Sequence, residues 1–568
     1  MNTLNRKIAL ALAVAALGGM AAGCAPSEQT SDRPSNRPSD SSVVDQAETR
    51  SEPTLEENFS GRAVEVQLLP QGQSVSESEA LVSHARRRQE MTMDASAMPM
   101  LSSPRVIPAS EPAPYPHSTV VDRENYAPID TNPIKLVSEE PVSTFSIDVD
   151  TGSYSNVRRM LNNGRLPPQD AVRVEEMINY FSYDYPVPDA GEAPFSVQVE
   201  QAITPWNDNT RLLQIGLQGY EPDPDSIPAS NLVFLLDVSG SMNSPDKLPL
   251  LVNSMKMLTR ELGEDDRVAI VVYAGASGVV LESTPGDEDA KIAAALDRLS
   301  AGGSTNGAAG IEMAYAQARE GFIEGGVNRV ILATDGDFNV GTVSFEALID
   351  LVERQRDSGI ALTTLGFGQG NYNDHLMEQL ADAGNGNHAY IDNLNEARKV
   401  LVDELTSTLL MIAKDVKIQI EFNPAVVAEY RLIGYENRLL NREDFNNDQV
   451  DAGDIGAGHT VTALYEIALV GSEGQRVDPL RYQNEGQAER ASSQSRELAF
   501  LRLRYKAPDE DVSQLIEQPI EFEARPSMSP RLSWAASVAA FGQFLSGGVH
   551  LNGFSLADIE AIAQPARG

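Results

Sequence analysis

The strongest constraint on this chain is a series of short, continuously apolar segments between residues 231 and 412, each followed by a helical pattern. Residues 232–236 are Leu-Val-Phe-Leu-Leu, 330–333 are Val-Ile-Leu-Ala, 267–273 are apolar after Arg267, and 361–365 are apolar but for Thr363 and Thr364. Such a strand has no solvated face, so something must cover it on both sides. Helical patterns follow at 247–262, 289–299, 307–320, 345–356 and 375–381. In 307–320, for example, Ile311, Ala314, Tyr315 and Ala318 fall on one helix face. A short last strand at 389–391 and a long amphipathic helix at 394–412 close the series. Strand–helix alternation of this kind predicts an α/β fold with a doubly wound, mostly parallel sheet.

The flanks have a different rhythm. Residues 144–149 alternate as a strand does, and Asp150-Thr151-Gly152 turns the chain. Ser153 is placed to cap a helix carrying Val157, Met160 and Leu161, and a second short helix spans 174–181. Residues 195–200 and 212–217 read as antiparallel strands, as do 416–422, 461–469 and 498–505 beyond the α/β unit. These two groups are expected to pair into one β-rich domain, with 231–412 inserted in it. The chain closes on helices. Trp534, Val538, Phe541 and Leu545 form one stripe, and Ser555 caps a short final helix.

The amino-terminal end reads as an export signal. Arg6 and Lys7 precede an apolar stretch at 8–17, too short to span a bilayer, and small residues lead to Cys24. This is the chain's single cysteine, which rules out an intramolecular disulfide. Its position resembles a bacterial lipobox, cleaved before Cys24 and acylated on it. Each buried CH₂ of such an anchor contributes about 0.8 kcal/mol. Ala25, not Asp, follows, which in enteric-type sorting directs a lipoprotein to the outer membrane, facing the periplasm. The expected layout is therefore a signal peptide at 1–23, a disordered tether at 24–140, an amino-terminal associated region at 141–230, the α/β domain at 231–412 and a β-rich plus helical domain at 413–568. The tether is Ser-, Pro- and Gln-rich without apolar periodicity.

Ligands of open α/β sheets bind beyond the carboxyl ends of the strands. Asp237 ends the first apolar strand, and Ser239 and Ser241 follow at steps of two, with Gly240 free to bend the loop. Gly302-Gly303-Ser304-Thr305 offers another hydroxyl before a helix, and Asp335 ends a further strand. The set supplies hard oxygen donors of low charge. That chemistry suits Mg²⁺, with Mn²⁺ and Ca²⁺ also admissible.

Asp237-x-Ser239-x-Ser241 with Thr305 and Asp335 resembles the metal-ion-dependent adhesion site of von Willebrand factor type A domains. That resemblance implies that Ser239, Ser241 and Thr305 contact the metal, Thr305 directly or through water, and that Asp237 and Asp335 act mainly through bound water. It leaves one position for a partner's carboxylate. Residues 145–154 and 173–181 resemble the amino-terminal region of a bacterial subfamily of these proteins. Residues 451–466 resemble its carboxy-terminal region.

Other chemistries find less support. The formal net charge of −38 opposes binding to a phosphate backbone. No Gly-x4-Gly-Lys-Ser/Thr loop, Gly-x-Ser-x-Gly elbow or His-Glu-x-x-His occurs. His375, His388 and His459 read as capping or packing residues. Asp148-x-Asp150 and 444–448 lack the Glu of a calcium loop and read as turns. A metal hydrolase needs a placed general base, and the motifs supply none. The expected function is therefore an envelope-anchored binding module rather than an enzyme. A scaffold with a vestigial site and an accessory subunit of an envelope enzyme complex are the alternatives.

Overall fold

The computed structural model describes residues 123–188, 193–223, 226–336, 344–478 and 496–566. Within it, four strands precede the α/β unit: β1 (Lys135–Leu136), β2 (Val142–Ser146), β3 (Phe195–Thr204) and β4 (Asn207–Gly219). Six build the unit: β5 (Ser230–Asp237), β6 (Arg267–Tyr273), β7 (Ser277–Pro285), β8 (Val327–Thr334), β9 (Ala361–Phe367) and β10 (His388–Ile391). Six follow: β11 (Met411–Phe422), β12 (Val427–Ile433), β13 (Gly453–Gly456), β14 (Thr460–Leu469), β15 (Glu497–Lys506) and β16 (Gln514–Glu521).

All eight residues of β5 are buried, and alternate ones face opposite layers. Leu232, Phe234 and Leu236 join a core completed by Leu251 and Met255 of the helix Leu248–Leu258 and Val400 and Leu401 of the segment Lys399–Asp403. Val233 and Leu235 join Ile311, Tyr315, Leu348 and Leu380 from the helices Gly307–Glu320, Phe345–Arg356 and Asp374–Ala383. A period of two, apolar throughout, thus produces helices on both faces.

Strand order is β10-β9-β8-β5-β6-β7, parallel except for β7, which runs antiparallel to β6 at the edge. From β5 the chain winds first toward β6, then returns to place β8 on the other side of β5. The gap between β5 and β8 is therefore the switch point at which such sheets bind ligands.

The flanking strands make two further sheets within one β-rich domain. β1-β12-β14-β4-β3 is the first, and β13-β11-β15-β16 with β2 on β11 is the second. The first sheet unites strands from both sides of the insertion: β4 pairs with β14, Ile215 opposite Ala463 and Leu213 opposite Tyr465. One core holds Leu213, Ile215 and Leu217 together with Ile418, Ile420, Leu501 and Leu503, so the two sheets pack face to face. The other face of the first sheet is covered by helices Gly152–Asn162, Val174–Asn179, Pro530–Leu545 and Leu556–Ala563. The fold is a doubly wound α/β unit inserted in a β-rich domain with carboxy-terminal helices.

Three local expectations change. Ser153 does not cap its helix. That helix starts at Gly152, and the Ser153 hydroxyl instead donates to the Ala171 carbonyl and accepts from the Arg173 amide. The helix expected over 394–412 is interrupted by a π-helical turn at Lys399–Asp403 and ends at Leu409, because Met411 already belongs to β11. Order also begins before residue 141. Arg123 and Asn125 donate backbone hydrogen bonds to Gly370 and Tyr372, and the Asn132 side chain is buried against the Leu432 and Gly434 carbonyls. Backbone and polar bonds hold most of this segment, and its packed apolar side chains, Tyr126 and Val137, are too few to make a periodicity. Cys24 and the rest of the expected tether before residue 123 lie outside the described residues.

Candidate metal centre

Parallel pairing sets Leu236 of β5 beside Ala333 of β8, so the chain ends that follow, Asp237 and Thr334–Asp335, meet over the switch point. Asp237 and Asp335 have no exposed surface. Both oxygens of Asp237 are held: Oδ1 accepts from the Ser239 amide at 2.8 Å and Oδ2 from the Thr334 hydroxyl at 2.8 Å. The Tyr273 hydroxyl lies 3.4 Å from Oδ2. Burial pushes the Asp237 carboxyl up to about 6, the Ser239 hydrogen bonds oppose it, and the Asp335 charge adds to it.

Beyond Asp237 the chain makes a tight turn, and the Ser239 and Ser241 hydroxyls lie 2.9 Å apart. The Thr305 loop is fastened to this turn by two backbone bonds, Gly240 N–H to the Gly303 carbonyl (3.1 Å) and Gly302 N–H to the Val238 carbonyl (2.8 Å). Gly303 takes φ +87° there, a conformation natural to glycine. Thr305 is half-buried two residues on. The structure thus brings four of the five sequence-derived residues, Asp237, Ser239, Ser241 and Asp335, to one strand-end cluster, and ties the loop of the fifth to it.

One partner was not foreseen. Lys247 donates from Nζ to Asp335 Oδ2 at 2.8 Å and to Asn371 Oδ1 at 2.8 Å. Its side chain is 8% exposed. As a lone lysine at a helix start it reads as a solvated charge; the partners that bury it come from the residue just after β8 and from the loop after β9.

Among the described residues no cluster of three or more His, Cys, Asp or Glu is arranged to hold a metal. The set here differs in kind, with two carboxylates and several hydroxyls. Buried carboxylate oxygens beside paired hydroxyls fit a small, hard divalent cation, whose charge would offset the burial that raises Asp237. The donors that would hold it are Asp237, Ser239, Ser241, Thr305 and Asp335.

Family models match the chain in three stretches: von Willebrand factor over residues 120–214, von Willebrand factor type A domain over 231–404, and the carboxy-terminal domain of uncharacterized protein YfbK over 407–568. Uncharacterized protein YfbK of Escherichia coli (strain K12) is 50% identical over 449 residues, which are 78% of this chain and 78% of that protein. This chain belongs to the YfbK family of von Willebrand factor type A proteins. Its likeness to uncharacterized protein sll0103 of Synechocystis sp. (strain ATCC 27184 / PCC 6803 / Kazusa) is narrower, 30% identity over 187 residues, covering 33% of this chain and 43% of that one. Among solved structures, von Willebrand factor type A from Catenulispora acidiphila aligns over 68% of this chain and 88% of its own, at 14% identity and TM-score 0.37. The YfbK-type carboxy-terminal match begins at residue 407, just before β11, and the type A match ends at 404. The family's α/β unit and its β-rich carboxy-terminal region therefore adjoin at residues 404–407.

Proposed function

We propose that this protein is a metal-dependent protein-binding module, in which Asp237, Ser239, Ser241, Thr305 and Asp335 hold a divalent cation, Mg²⁺ foremost, that captures a carboxylate of a protein partner. The single observation that carries the reading is the convergence of two fully buried carboxylates and a hydroxyl pair 2.9 Å apart at the switch point of the sheet. A type A domain is a protein-interaction module, which agrees with this chemistry. Thr334, Tyr273, Lys247 and Asn371 hydrogen-bond to the donors or to one another around them, which supports reading the site as one built for binding. Anchoring at Cys24 would place it in the cell envelope, on the outer membrane facing the periplasm. Among the described residues no helix is long and apolar enough to cross a membrane.

The test is calorimetric titration of the full chain with Mg²⁺, Mn²⁺ and Ca²⁺. A saturable binding isotherm for at least one ion is expected, and Asp237→Ala should abolish it while leaving the thermal transition in place. Three silent titrations would end the metal reading. The Lys247–Asp335 pair favours one rival, a scaffold whose site is satisfied internally. In that case partner capture from envelope extract survives EDTA and the Asp237→Ala change. Metal-dependent capture should not.

A further inference from the structure

Among the described residues, Lys247 is the charged side chain of the site that the ligand pattern leaves unexplained, and its seat is built rather than incidental. The ammonium group is fixed by Asp335 and Asn371. The methylene stem lies against Gly368, where an added Cβ would come within 2.3 Å of the Lys247 Cγ. Gly368 holds φ +77°, so this close approach depends on a glycine at that position. The loop carrying Asn371 is backed in turn by the 123–126 segment, whose Glu124 accepts from the Gly370 amide and from Arg159, both at 2.8 Å. A surface lysine would swing away from an arriving cation. This one is packed on every side named here, and it stays.

A fixed ammonium has two opposite consequences. It repels a cation entering beside Asp335, and it alters the charge of the loaded site. Asp237 and Asp335 against Lys247 sum to −1 over these three groups, so a divalent ion takes the sum to +1. Without the lysine the loaded site would be neutral. A net charge of +1 is matched by one carboxylate, and in a buried setting such a mismatch of one charge is strongly felt. We infer that Lys247 is a fixed counter-charge that weakens metal binding and in exchange makes the metal-loaded site an acceptor for a single carboxylate. The inference rests on the metal-binding reading above.

The experiment uses the full chain with Mn²⁺ as the metal and propionate as the carboxylate. Calorimetry reads metal affinity, and water-proton relaxation of bound Mn²⁺ reads displacement of its water by propionate. Lys247→Gln keeps a donor for Asp335 but no charge, and Lys247→Met removes both. Relative to the native chain, Mn²⁺ should bind the neutral variants about tenfold tighter, and propionate about threefold or more weakly. Lys247→Arg, which keeps the charge, should lie near the native protein on both axes. Equal or weaker Mn²⁺ binding by folded neutral variants overturns the inference and leaves the metal reading standing, since Lys247 would then merely orient Asp335. Loss of the fold in both neutral variants also overturns it, because Lys247 would be a structural pair. Silence towards Mn²⁺ in the native chain and in every variant removes the metal reading, and this inference with it.

Discussion

Gly336, next to Asp335, holds φ +82°, and a Cβ built there would lie 2.3 Å from the Asn373 backbone nitrogen. Two costs coincide in Gly336→Ala: left-handed backbone for a residue with a Cβ, and displacement of the 371–373 loop that carries Asn371. The expected loss is about 2–4 kcal/mol, read as a lowered denaturation midpoint, with Mn²⁺ affinity altered because Asn371 moves off Lys247. An alanine variant as stable as the native chain would show that the loop yields without strain. The same residues mark what a sequence can disclose about a site. Asp237, Ser239 and Ser241 are legible because a strand end and a turn fix them within five positions. Lys247 meets Asp335 across 88 residues and Asn371 across 124, and nothing in its local pattern separates it from a solvated lysine. Ser153 carries the same lesson in reverse. Local chemistry favours an N-cap, but the segment at Ala171–Arg173 competes for the hydroxyl and takes it.

The 123–126 segment behaves as a strap on the inserted unit. Asn125 bridges Asn373 in parallel fashion, its amide donates to Tyr372, and the Asp374 amide donates back to the Asn125 carbonyl. Glu124, with a side chain 3% exposed, accepts from Arg159, from the Gly370 amide and from the Tyr126 hydroxyl. Glu124→Ala strips a nearly buried guanidinium of its carboxylate, a change that costs on the order of 3 kcal/mol. We expect the loss to stay local, as faster amide hydrogen exchange at residues 123–126 and 370–374 with β5 and β8 still protected. Unchanged exchange at 370–374 would mean the loop holds itself. Elements with apolar periodicity were readable, β5 above all. The strap has none, being held by main-chain and polar bonds and by the single packed ring of Tyr126. β7 escaped because, as an edge strand, only Leu281 and Thr284 of its nine residues are buried. The π-helical turn at Lys399–Asp403 escaped because its residues share the apolar stripe of an ordinary helix.

At the scale of the molecule, the inserted unit meets its base through a buried ionic junction. Arg438 of the carboxy-terminal region pairs with Asp148 and Asp150 of the amino-terminal region and with Glu378 and Asp382 of the inserted unit. Arg173 reaches Glu378 at 3.0 Å, and the Asn437 amide donates to it at 2.5 Å. That β-rich flanks would enclose the α/β unit was legible, because each flank carries its own strand patterns. The junction was not, since its partners stand 56 to 290 residues apart. Carboxylates outnumber arginines here, and desolvation is not fully offset. Burial pushes Glu378 up to about 7, with Arg173 and Arg438 opposing it and Asp382 and Asp374 adding to it. A carboxyl raised in the folded state binds its proton more tightly there than in the unfolded chain. Its contribution is therefore complete below pH 4.5 and fades as pH rises to about 7. Glu378→Gln removes that titration while keeping an acceptor and the side-chain shape. At pH 4.5 the variant and the native chain should have similar stability. By pH 8 the variant should gain on the native chain by up to about 3 kcal/mol, since about 1.4 kcal/mol accompanies each unit of displacement. Denaturant unfolding at the two pH values decides the matter. If the variant loses ground at pH 8 instead, the two arginines stabilise the ionised Glu378 by more than burial costs, and the junction acts as a clamp at high pH, where the expectation is that it loosens.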